Sequence, residues 1–148
     1  PGDAVRATPA DLLPGGWALV QTLLATGEAV GEPSDDRMFQ AINSTRGRAL
    51  EAVFSHALRA CRLADKETGS HLDAWKSMQA LFDSELAACV NGNFEFSTLA
   101  GAYSVNIEYL SVEWLKANIK GIFPVDRRAN LACAIGGLAF APTTRAGF

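Results

Sequence analysis

The chain has 148 residues, 49% of them hydrophobic and 20% charged, with a net charge of −3. That is close to the commonest size of a single domain, with enough apolar residues for a substantial core, and the acidic balance excludes the global basic field that draws in nucleic acid. Three scattered cysteines, Cys61, Cys89 and Cys133, argue against a disulfide framework and for a reducing, cytoplasmic compartment.

The first helix is expected over 8–26, with Thr8 as cap and Pro9 in the first turn. Leu12, Leu13, Trp17, Val20 and Leu24 recur along it at helical spacing. Pro14-Gly15-Gly16 is expected to break this stretch, leaving a regular helix from Gly16 that Gly27 stops. Residues 27–36 read as a loop, rich in Gly, Glu, Asp, Pro and Ser, and 36–41 as a short helix. A long helix follows over 44–67, capped by Asn43 or Ser44. Leu50, Val53, Phe54, Ala57, Cys61 and Ala64 share one face of it; Arg48, Glu51, Ser55, Arg59, Arg62 and Lys66 share the other. Gly69 stops this helix and Ser70 caps the next, over 70–90, with an apolar seam of Leu72, Trp75, Met78, Phe82, Leu86 and Cys89.

Asn91-Gly92-Asn93 ends that helix with residues that tolerate left-handed backbone. A helix over 94–110 uses Leu99, Tyr103, Ile107 and Leu110, and Ser111 caps a shorter one over 112–120 with Glu113 in its first turn. Gly121 and Pro124 close it, and Asp126 caps a last helix that runs to about residue 140. Gly136-Gly137 costs helix propensity there and points to close approach of another helix, in a stacked array one from a following repeat. Residues 143–148 read as a fraying tail.

No alternating β-branched segment occurs. The pattern predicts one all-α domain over 1–148, built of antiparallel helix pairs as an α-solenoid-like stack or an irregular bundle. The apolar run 129–141 is too short to span a bilayer, and no charged-then-apolar leader is present. A start at Pro1 rather than Met reads as a fragment of a larger protein.

Two segments resemble a known type of sequence. One is Ile42-Asn43-Ser44-Thr45-Arg46-Gly47-Arg48-Ala49-Leu50-Glu51-Ala52. The other comprises Ala100-Gly101-Ala102-Tyr103, Tyr109-Leu110-Ser111-Val112-Glu113-Trp114 and Ile122-Phe123-Pro124. Together they resemble the α-helical repeat region of large bacterial multidomain proteins with sirtuin-like or signal-transduction NTPase domains, some associated with phage defence. The resemblance implies a scaffold whose chemistry lies in other domains, and it carries over no catalytic residue.

The residues by themselves supply little reactive chemistry. No Gly-rich loop followed by Lys-Ser or Lys-Thr and no Gly-x-Ser-x-Gly elbow occurs. His56 with Cys61, and His71 with Asp73, diverge on their helices, so neither pair begins a metal site. Asp83 with Glu85, and Glu108 with Glu113, meet only if tertiary folding brings them together. Trp17, Trp75 and Trp114 fit core seams better than a stacking platform. No organised reactive centre, cofactor or metal is expected. The expected role is a non-catalytic scaffold contacting other domains of the same chain or a protein partner, with no membrane. The candidate interaction surface is Arg46, Arg48, Arg59, Arg62 and Lys66. The alternative is a nucleic-acid-binding domain using that basic stripe. Within the Asn43–Gly47 stretch, Arg46 is also placed to bond carbonyls at a neighbouring helix terminus, and Gly47 to admit a close neighbour.

Overall fold

The computed structural model describes residues 10–26, 41 and 43–141. Among them are seven α-helices and no strands. A 3₁₀ turn, Ala10–Leu12, leads into α1 (Leu13–Thr26). The long α2 (Thr45–Thr68) and α3 (Leu72–Ala87) follow, with a 3₁₀ turn Ala88–Asn91 after α3. Then come α4 (Phe94–Ala102), α5 (Ser104–Leu110), α6 (Val112–Ile122) and α7 (Arg128–Ala139). Expectations for Thr8, Pro9, Gly27, the 27–36 loop, the bulk of the 36–41 helix and the 143–148 tail fall outside the described residues.

Local chemistry accounts for most boundaries. Ser44 accepts the Gly47 N–H at 2.8 Å and caps α2, a contact worth about 1 kcal/mol. Gly69 closes α2 at φ 80°, its N–H donating to the Asp65 carbonyl, as glycine allows in the left-handed region. Ser111 accepts the Trp114 N–H at 3.1 Å and caps α6.

Several boundaries differ from the sequence reading. Pro14, Gly15 and Gly16 lie inside α1 and do not break it. Pro14 occupies the first turn, where no intrahelical N–H is required. The cap of α3 is His71 rather than Ser70, although the Ser70 hydroxyl still accepts the Leu72 N–H at 3.3 Å. The stretch 94–110 is two helices, divided at Tyr103, whose backbone (φ −100°, ψ 14°) departs from helix while its ring stacks 4.6 Å from Phe54. Gly121 continues α6, and Arg127 rather than Asp126 precedes α7.

The architecture is a bundle around α4. All eight residues from Glu95 to Ala102 are buried, because α2, α3, α5, α6 and α7 all pack on this helix. The α4–α7 seam is the tightest. A Cβ on Gly137 would come within 1.8 Å of the Thr98 carbonyl oxygen, and one on Gly101 within 2.0 Å of the Ala134 carbonyl oxygen. The neighbour that the Gly136-Gly137 pair calls for is therefore α4 of this chain, not a following repeat, and Gly137 is the residue that admits it. On the other side of α4, Phe54 of α2 meets Phe82 edge-on at 5.4 Å and stacks with Phe96 at 6.1 Å. Such ring pairs each add about 1 kcal/mol beyond their buried area. Trp75 and Trp114 extend this aromatic centre, 5.8 Å apart, so all of the apolar face read for α2 is buried or half-buried. Among the described residues no helix is long and apolar enough to cross a membrane.

Candidate functional site

Two polar clusters and one trough hold the chemistry-bearing side chains. The first cluster forms where α1 ends, α2 begins, α3 ends and α4 begins. Arg46, in the first turn of α2, reaches inward and pairs through Nη2 with Glu85 Oε2. The same guanidinium donates to Asn93 Oδ1 at 3.0 Å and to the Leu24 carbonyl, in the last turn of α1, at 3.5 Å. Asn93 sits at φ 46°, a conformation asparagine tolerates better than most residues. From there its Nδ2 donates to the Glu85 carbonyl at 2.6 Å and to Glu85 Oε2 at 3.0 Å. Asn130 of α7 continues the network, donating to the Gly92 carbonyl at 2.7 Å and to Ser97 Oγ at 2.9 Å. Ser97 in turn donates to Cys89 Sγ at 3.5 Å.

This cluster divides the expected basic surface. Arg46 is taken into the interior, while Arg48, Arg62 and Lys66 are exposed and Arg59 half-buried along α2. Gly47 explains the local geometry, since a Cβ there would lie 1.5 Å from the Ala41 carbonyl oxygen.

The second cluster overturns the expectation that the titratable side chains stand apart. His71 is joined not to Asp73 but to Asp65, six residues earlier. Its Nδ1 lies 2.9 and 3.0 Å from the two carboxylate oxygens, and its Nε2 lies 3.1 Å from the Leu110 carbonyl at the end of α5. Tyr109 donates its hydroxyl to Asp65 Oδ2 at 2.5 Å, and its ring lies 4.7 Å from that of His71. The readable signal was Gly69: its left-handed cap reverses the chain and returns His71 to the last turn of α2. The Tyr109 hydrogen bond, followed by that of His71, holds the Asp65 carboxyl below the ordinary carboxylate range. Partial burial, then the bond to Asp65, raises the Tyr109 phenol above its usual value.

The trough lies beside this second cluster. α3 and α6 meet through long side chains rather than by close backbone approach: Trp114 Nε1 donates to Asp83 Oδ1 at 2.7 Å, and the Trp75 and Trp114 rings touch. What remains open between them is a cavity of about 570 Å³, floored by Trp75 and Trp114. A second cavity of about 360 Å³, bounded by α2, α5 and the α3 and α6 N-termini, adjoins it through shared Leu72, Ser111 and Glu113. Leu72, read from the sequence as core, is 54% exposed at this junction. Glu108 and Glu113, which the sequence left unconnected, both line the smaller cavity. Asp83 and Glu85 turn to different partners, Trp114 and Arg46.

The remaining reactive types are packed away. All three cysteines are buried. Burial, with the Asp65 charge nearby, pushes the Cys61 thiol up to about 12, and burial raises Cys89 as well; both thiols are thereby held in the unreactive form. His56 packs its ring 4.9 Å from Trp17, and desolvation there lowers its pKa. Among the described residues, no group of three His, Cys, Asp or Glu side chains is placed to hold a metal ion. Comparison with known family models, curated proteins and solved structures finds no match to this chain.

Proposed function

We propose that this chain is a non-catalytic helical scaffold or recognition module of a larger bacterial protein, working by contact with other domains or a protein partner. The observation that carries the reading is the surface of α1. This helix has no charged residue from Leu13 to Thr26, and it has two apolar stripes. Leu13, Val20 and Leu24 face the core, while Leu12, Leu19 and Leu23 are 57%, 59% and 38% exposed. A second apolar stripe next to a buried one favours a further packing partner. α7 likewise turns Ile135 and Leu138 outward.

The polar clusters support the same reading, because their groups are spent on joining helix ends. His71 has both ring nitrogens engaged, and Asp65 accepts from two side chains. The bacterial and phage-defence setting rests on the sequence resemblance, and the cytoplasmic one on the scattered cysteines.

The test is a labelling comparison. Leu23→Cys introduces a thiol on the outward stripe, and the native cysteines are buried. The chain alone should label rapidly and the complete gene product at least several-fold more slowly, a difference that Leu19→Asp abolishes without changing the helical circular dichroism. Equal labelling in both settings, or turnover by the purified chain, overturns the reading.

A further inference from the structure

We propose that the trough between α3 and α6 docks a short amphipathic segment of a protein partner whose apolar residues are flanked by lysine or arginine. This deepens the scaffold reading, on which it rests, by naming a surface and the chemistry of what covers it.

The trough is open to solvent along the seam between the two helices. Its two adjoining cavities, about 360 and 570 Å³, are each of the size that receives side chains of a ligand. Trp75 and Trp114 make a rigid aromatic floor, locked by the indole bond to Asp83 and by Phe82, whose ring lies 5.0 Å from Trp75 and 6.0 Å from Trp114. Leu72 projects into the junction, and Ala117 opens the far wall. An apolar side chain of a partner seated there removes Leu72 from water without any rearrangement of the floor. Recognition of this kind lays apolar anchors at helical spacing into a groove.

Charge decides the occupant. Four carboxylates line the two cavities, Asp65, Asp83, Glu108 and Glu113, against Lys76 and the His71 ring. Two of the four are used internally, Asp65 by His71 and Tyr109 and Asp83 by Trp114. Glu108 and Glu113 are exposed on the rim, where they complement lysine or arginine flanking the apolar anchor. On the α2 side, Arg62 lies close enough for its charge to act on Tyr109. A rim of this sign attracts a basic segment and rejects an acidic one, setting specificity and association rate more than total affinity.

The experiment uses a labelled amphipathic helical peptide with leucines flanked by lysine, and a counterpart with glutamate in place of lysine. Fluorescence anisotropy at low salt should show the lysine peptide binding and the glutamate peptide not. Amide resonance shifts should concentrate in the α3 and α6 residues around Leu72, Trp75, Trp114 and Ala117. Glu108→Gln with Glu113→Gln, two exposed changes that leave the circular dichroism intact, should weaken binding about fivefold to tenfold. Leu72→Ser, which removes the apolar contact without adding charge, should weaken it further. The proposal is overturned by absence of lysine-peptide binding, by equal binding to wild type and the double glutamine variant, or by resonance shifts that map elsewhere. Concentration-dependent self-association that occupies the groove overturns it too, because the occupant is then a second copy. Leu23→Cys labelling on α1 is independent of this trough, so a failed groove with a protected α1 leaves the scaffold reading standing.

Discussion

The Arg46 and His71 clusters solve the same problem in two environments. Each joins helix ends by setting a nitrogen-bearing side chain beside a carboxylate and a second of its nitrogens beside a helix-terminal carbonyl, Leu24 for Arg46 and Leu110 for His71. The Arg46 and Glu85 side chains are only 13% and 12% exposed, whereas His71 and Asp65 are 23% and 36% exposed. Burial makes the first cluster an all-or-none element, because each charge there depends on the other to offset its lost hydration. Water stands in for a missing partner in the second, so it adjusts rather than supports the fold. The more buried cluster is thus closed to ligands, and the one at the surface adjoins the trough.

The largest expected effect tests the buried half of this contrast. Glu85→Ala leaves the Arg46 guanidinium without its carboxylate and should cost about 3 kcal/mol in denaturant unfolding. Arg46→Met combined with Glu85→Leu should cost less than Glu85→Ala alone, the sign of a pair whose worth lies in not being half-made. A double variant less stable than the single would place the stabilising value in the ion pair itself.

A smaller effect is expected at the surface cluster. The Asp65 pKa is lowered in the folded state, so its contribution is present above the unfolded value, near about 3.9, and is lost as pH falls through the folded value. Asp65→Asn should therefore lower stability near neutral pH by less than Glu85→Ala does and flatten the acid limb of the stability curve. An unchanged acid limb would remove Asp65 from the account. Tyr109→Phe should act in the same direction and more weakly, since His71 Nδ1 still lies 2.9 Å from the carboxylate; its unfolding midpoint should fall between those of wild type and Asp65→Asn.

The His56 contact beneath α1 sharpens the contrast by pH. Desolvation lowers its pKa, so the neutral ring's contribution is present above the unfolded value of about 6.5 and is lost as pH falls below it. Mild acid should loosen α1, raising amide exchange there first, and His56→Phe should abolish that response. The stability effect of Arg59→Glu with Arg62→Glu on the α2 face should stay below that of Glu85→Ala, since Arg62 is exposed and Arg59 only half-buried. A sharp loss of salt-dependent DNA or RNA binding in that variant would instead favour the nucleic-acid alternative.

Much of the helix content was legible because its signals are local. Ser44, Gly69 and Ser111 act through bonds to residues within four positions of themselves. The apolar periodicity of α2 reads directly as its buried face. The readings that failed were those in which a local preference met a tertiary demand. Tyr103 divides a helix as its ring stacks on Phe54, and Leu72 leaves the seam where α3 and α6 stand apart at the trough.

By itself the sequence determined that this chain is helical, where most helices start and stop, and which faces are apolar, since capping, backbone preference and periodicity act between residues a turn apart. Only the tertiary structure decided that Arg46 turns inward to Glu85, that His71 meets Asp65 and Tyr109, and that α4 lies at the centre against α7. Apart from His71 with Asp65, six positions away across the Gly69 turn, those outcomes depend on helix ends and backbones converging from 33 to 47 positions apart, and nothing in a one-dimensional pattern fixes which distant polar groups will meet.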